Sequence, residues 1–151
     1  RKVREGDYDG VVLAAAGVRR LGLGDEITEY LAPDVCLPAA GQGALAVEVR
    51  ASDHELIQIA SYVEDRDART ELTAETEVLR TLGGGCKTPI AAFAERDGDG
   101  LRLRAIVGSA DGNQLLKAEA RGRQGEAIDI GRTLAQKLLD MGAGPLLEAM
   151  R

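Results

Sequence analysis

Hydrophobic and polar positions divide the chain into a sparsely patterned first part and a densely patterned second part. After the polar turn Gly6-Asp7-Tyr8-Asp9 comes a continuous apolar run, Gly10-Val11-Val12-Leu13-Ala14-Ala15. Its length and β-branched content predict a buried strand of a parallel sheet with helices on both faces. Gly17–Gly22 reads as a short helix or turn leaving that strand. Gly43–Val49 places its larger apolar side chains at alternate positions and predicts a second strand. Ser52-Asp53-His54-Glu55 has the form of a capping box, and Leu56, Ile59, Ala60 and Val63 follow at helical spacing, so a helix is expected over 53–63.

From Asp65 onward the signals are stronger. Leu72, Val78, Leu79 and Leu82 form a helical stripe that stops at Gly83-Gly84-Gly85. Asp97-Gly98-Asp99-Gly100 separates the apolar alternation of Ile90–Glu95 from that of Leu101–Val107, and Asp111-Gly112 separates the latter from Gln114–Ala120. Together these predict a three-stranded antiparallel meander. Ala127, Ile130, Leu134, Leu138 and Met141 mark an amphipathic helix closed by Gly142, and Pro145 suits the first turn of a final short helix. The expected fold class is α/β plus α+β: a partial doubly wound α/β portion over 1–64, then an α+β domain over 65–151 with the antiparallel sheet packed by helices.

Composition narrows the function classes. Aromatic residues make up 3% of the 151 positions, so the core is aliphatic and base stacking has few platforms. The formal net charge of −6 gives no general attraction to nucleic acid or to anionic membranes. No apolar run approaches the roughly 20 residues of a membrane span, and the opening Arg1-Lys2-Val3-Arg4 is not a signal peptide. With no initiator methionine, the sequence is expected to start inside a longer protein. Two cysteines do not make a disulfide framework, which points to a cytoplasmic setting.

Candidate chemistry concentrates at Leu82-Gly83-Gly84-Gly85-Cys86-Lys87-Thr88-Pro89-Ile90. One glycine suffices for a helix C-cap; three allow the backbone a close approach and leave Cys86 on an exposed loop. Lys87 beside the thiol favours the thiolate. Cys86 therefore reads either as a nucleophile or covalent attachment point, or as a buried, inert cysteine at a strand start. Cys36 is expected to pack as a small hydrophobe. Two cysteines and the single histidine, His54, are too dispersed for a metal site. Asp97 and Asp99 imitate a calcium loop without its distal ligands and belong to a hairpin turn. Arg19 and Arg20 follow a predicted strand, where open α/β sheets bind ligands, or else lie on a solvated helix face.

Several segments resemble the porphobilinogen deaminase (hydroxymethylbilane synthase) family, in its C-terminal half. They are Tyr8-Asp9-Gly10 to Leu21-Gly22-Leu23, Leu37-Pro38-Ala39-Ala40-Gly41-Gln42-Gly43-Ala44, Thr73-Ala74-Glu75, the Leu82–Ile90 loop and the Ala105–Asp111 strand and turn. The resemblance implies a transferase of tetrapyrrole (porphyrin and heme) biosynthesis. It would polymerise four porphobilinogen units into hydroxymethylbilane with release of ammonia. It also implies a dipyrromethane cofactor held covalently by a thioether to Cys86, and a carboxylate-binding role for Arg20. Residues 1–42 would end the family's second domain, 44–62 would return to complete the first, and 65–151 would form the third. The family's catalytic aspartate would lie upstream, so the chain alone is expected to be inactive and no catalytic residue is assigned within it. The small-molecule substrate would be the partner of a monomeric enzyme, without nucleic acid or membrane. The alternative is a non-enzymatic α+β ligand-binding or interaction module.

Overall fold

The computed structural model describes residues 2–85 and 88–149. The chain divides into two compact units, Arg1–Ala32 and Pro33–Arg151.

The first unit carries helix α1 (Ala15–Arg20) and a 3-10 turn at Gly24–Glu26. Arg4 and Glu26 form an exposed ion pair at 2.6 Å within it. The strand expected over 10–15 is not formed: residues 10–14 have no ladder partners, and Val12 is 72% exposed. The strand expected over 43–49 is likewise absent, with Leu45 96% exposed. Among the described residues there is one sheet, and neither segment belongs to it. A strand is stabilised by cross-strand hydrogen bonds and neighbours, and an apolar run without a partner strand does not form one. The doubly wound portion thus has no sheet of its own here.

In the second unit, helix α2 (His54–Ser61) forms where expected, but its N-cap is Asp53, whose carboxylate accepts the Leu56 N–H at 3.1 Å. The box beginning at Ser52 is therefore displaced by one residue, a carboxylate being at least as good a cap as a hydroxyl. Cys36 is free and exposed, in contrast to its expected packing: the surface segment around it also leaves Val35 exposed.

The α+β arrangement of the rest follows its pattern closely. Asp65 caps helix α3 (Arg66–Leu82) by accepting the Ala68 N–H at 3.0 Å. Strands β1 (Ile90–Asp97), β2 (Gly100–Gly108) and β3 (Leu115–Arg123) pair antiparallel in the order β1-β2-β3. The register sets Ile90 opposite Val107, Ala92 opposite Ala105 and Ala94 opposite Leu103; these continue to Leu116, Ala118 and Ala120 on β3. Period-two alternation thus gathers one aliphatic face across all three strands. Ala74, Val78 and Leu82 of α3 pack on that face, together with Ile130, Leu134 and Leu138 of helix α4 (Ala127–Asp140). Gly142, at φ +101°, turns the chain into helix α5 (Ala143–Glu148), which adds Ala143 and Leu147 to the core.

The opposite face of the sheet is ionic. Arg102 pairs with Glu119 at 2.6 Å and with Glu95 at 3.4 Å; Arg104 pairs with Glu95 at 2.8 Å and with Asp34. Arg121 joins Glu119 and Asp97, each at 2.9 Å. Two guanidinium groups donating to Glu119 hold its carboxyl well below the usual range, at about 2.

Candidate functional site: the glycine loop between α3 and β1

The loop singled out by the sequence joins the last turn of α3 to the edge of the sheet. Gly83 ends the helix in the left-handed conformation, φ 65° and ψ 28°, and its N–H returns to the Arg80 carbonyl at 3.3 Å. Gly84 continues the cap, donating to the Leu79 carbonyl at 2.9 Å. A Cβ added at Gly84 would lie 2.5 Å from Ile90 Cδ1 and 3.0 Å from Thr88 Oγ1. The close approach read from the run of glycines is thus, at Gly84, an approach to the loop's own far side. Among the described residues, its chain neighbours aside, no atom lies within 4 Å of a Cβ built at Gly85.

Beyond the loop's centre, Thr88 fastens the two sides. Its hydroxyl accepts the Gly85 N–H at 2.8 Å and donates to the Gly85 carbonyl at 2.6 Å, while its own N–H donates to the same carbonyl at 3.0 Å. The Pro89 carbonyl then accepts the Gly108 N–H at 3.0 Å, anchoring the exit beside the end of β2. The expected attachment residue Cys86, with Lys87, lies outside the described residues. What the structure supplies is a frame tied to α3 at one end and to the sheet at the other.

Arg20, the other expected site residue, lies in the unit Arg1–Ala32, at the end of α1. Its neighbour Arg19 is engaged within that unit: Nε donates to the Tyr30 hydroxyl at 3.1 Å, and the guanidinium lies 5.1 Å from the ring centre. Arg20 is exposed and has no ion pair or hydrogen bond among the described residues.

Two buried acids of α3 had no role in the sequence reading. The Glu77 carboxylate is gripped by Arg80 of the same helix, at 3.0 and 3.1 Å, and by Arg132 of α4 at 2.7 Å. The hydrogen bond from Arg80 leads in lowering its pKa. Glu75, buried two turns before the loop, accepts the Gly41 N–H at 2.7 Å and the Ala94 N–H at 2.8 Å. Burial pushes its carboxyl above the usual range against the opposing pull of these two donors. An acidic residue at helical spacing from Val78 and Leu82, on the inward stripe, was the signal available for it. Among the described residues no group of side chains could hold a metal ion, and no helix is long and apolar enough to cross a membrane.

Sequence comparisons cover both parts of the chain. Residues 69–140 match the family model for the porphobilinogen deaminase C-terminal domain, and residues 1–58 match that for the porphobilinogen deaminase dipyromethane cofactor binding domain. Porphobilinogen deaminase of Roseiflexus sp. (strain RS-1) is 45% identical over 147 residues, covering 97% of this chain and 48% of the relative. That of Syntrophus aciditrophicus is 45% identical over 148 residues, 98% of this chain and 48% of the relative. That of Halalkalibacterium halodurans is 42% identical over 153 residues, spanning 100% of this chain and 49% of the relative. The chain spans about half the length of the curated relatives it matches.

Proposed function

The chain belongs to the porphobilinogen deaminase family, and on that premise we propose that it forms part of a transferase joining four porphobilinogen units into hydroxymethylbilane with release of ammonia. The observation that carries this reading is the ordered match of two segments, 1–58 and 69–140, to two different domains of one family.

In this reading residues 1–64 contribute to the two N-terminal α/β domains, and 65–151 form the cofactor-attachment domain. A dipyrromethane group on Cys86, when bound, supplies the primer onto which pyrrole units are added. The Cys86 sulfur holds that primer through a thioether, which thiol–disulfide exchange does not cleave. In sequence, Cys86 lies between Gly85 and Thr88, which are hydrogen-bonded to each other and tied through Gly84 to α3 and through Pro89 to β2. Arg20 binds acetate and propionate carboxylates through its free fork. No residue of this chain is assigned the proton transfers that accompany ammonia loss; they belong to the half of the relatives that this chain does not span. The enzyme works in the cytoplasm as a monomer on a small-molecule substrate.

The test supplies porphobilinogen to the chain alone and to the chain fused behind the N-terminal half of the Roseiflexus relative. Ammonia and linear tetrapyrrole are expected from the fusion and not from the chain alone. A folded fusion that stays silent while the intact relative turns over would overturn the assignment, as would sustained turnover by the chain alone.

A further inference from the structure

Among the described residues strand β1 is an edge strand, and its outward N–H groups have no neighbouring strand to receive them. Helix α3 receives one of them: Glu75 accepts the Ala94 N–H at 2.8 Å.

Glu75 does more than close the edge. Its second oxygen reaches Gly41, 34 residues upstream, in the turn of the Ala39–Gly43 segment. Gly41 is at φ +75°, and Leu72 Cδ1 lies 3.2 Å from where its Cβ would be. Ala40 beside it packs against the core. A neutral residue would avoid the cost of burying a carboxylate, which is several kcal/mol for an ion without compensation. A carboxylate, unlike an amide side chain, offers two equivalent acceptor oxygens for two donors.

We propose that Glu75 is a positioning residue, holding the Gly41 and Ala94 N–H groups on its two oxygens and so fixing the Ala39–Gly43 turn against the α3–β1 frame from which the glycine loop emerges. Seven residues separate Glu75 from Leu82, the last residue of α3, which sets the clamp about 10 Å along the helix from the loop. The relevance of that spacing to a tethered chain rests on the function proposed above; the clamp itself does not.

The test is a pH titration of the backbone amide resonances of the 151-residue chain, followed by hydrogen exchange in Glu75→Gln and Glu75→Ala. Gly41 and Ala94 are expected to shift together, with one shared midpoint. Other charges near Glu75 are Glu71 on its own helix, and on β1 Glu95, paired with Arg102 and Arg104, and Arg96, paired with Asp67. The Ala39–Gly43 segment has no ionisable side chain. Glu75→Gln should remove the shared titration and speed exchange at least tenfold at one of the two amides. Glu75→Ala should do so at both, with Val78 and Leu103 unchanged. Separate midpoints, or no titration at either amide in the wild type, would overturn the proposal even if neither variant folds. Exchange that rises uniformly through the core would also overturn it. A pyrrole adduct missing from Cys86 in an active fusion with the relative's N-terminal half would sink the proposed function and leave the titration result standing.

Discussion

Gly131 of α4 crosses α3 so closely that a Cβ there would lie 2.7 Å from the Ala74 carbonyl oxygen and 2.8 Å from Glu77 Cβ. The missing side chain lets the two helices approach, and that approach brings Arg132, the next residue, within 2.7 Å of the buried Glu77 carboxylate. Gly131→Ala would gain about 1 kcal/mol of helix propensity. Here the clash is with backbone, which cannot rotate aside, and overpacking of this kind costs about 1–3 kcal/mol. A net loss of stability and a lower Tm are therefore expected in thermal unfolding. An unchanged or higher Tm would show that the helices separate without cost.

Glu119 links the ion pairs on the open face of the sheet. Its folded value of about 2 lies below the ordinary 4.5, so the group favours the folded state above the ordinary value. That contribution is lost as pH falls from about 4.5 towards 2. Solvent screening keeps it small, because about a third of the Glu119 side chain is exposed. Carboxyl NMR should place the midpoint near 2, and Arg102→Gln should raise it while Arg121 still holds it below the ordinary value. A wild-type midpoint at 4 or above would contradict the geometry.

Arg20 carries the carboxylate-binding proposal. Losing a hydrogen bond to a charged partner costs about 1.5–3 kcal/mol, so Arg20→Leu in the fusion with the relative's N-terminal half should slow elongation roughly tenfold or more. Arg20→Lys should restore only part of the rate, because an ammonium lacks the planar fork. Normal elongation kinetics in Arg20→Leu would remove Arg20 from the site.

The meander and α4 were legible because their signals are local. Alternation over Leu101–Val107, the Gly98 and Gly112 turns and the stripe Ile130–Leu134–Leu138 each decide their element within a few residues. The runs at 10–15 and 43–49 carry equally good strand composition, yet a ladder depends on a partner that local pattern does not reveal. The glycine loop was legible as a special place, and Gly83 as its helix cap. The reason for Gly84 was not, since it depends on Ile90 folding back six residues later. For Glu75 the only local signal was its place on the inward stripe; its partners Gly41 and Ala94, and Arg132 for Glu77, are distant in sequence, and only the Arg80 partner of Glu77 is local.

The most direct measurement is the intact mass of the fusion carrying residues 1–151, before and after Cys86→Ser, with an acidic aldehyde colour test for pyrrole alongside. The wild-type fusion should carry the mass of one dipyrromethane. The Cys86→Ser protein should fold, lose that mass and give no colour. A pyrrole adduct retained after Cys86→Ser, or absent from an active wild-type fusion, would contradict the assignment of the glycine loop as the cofactor's anchor.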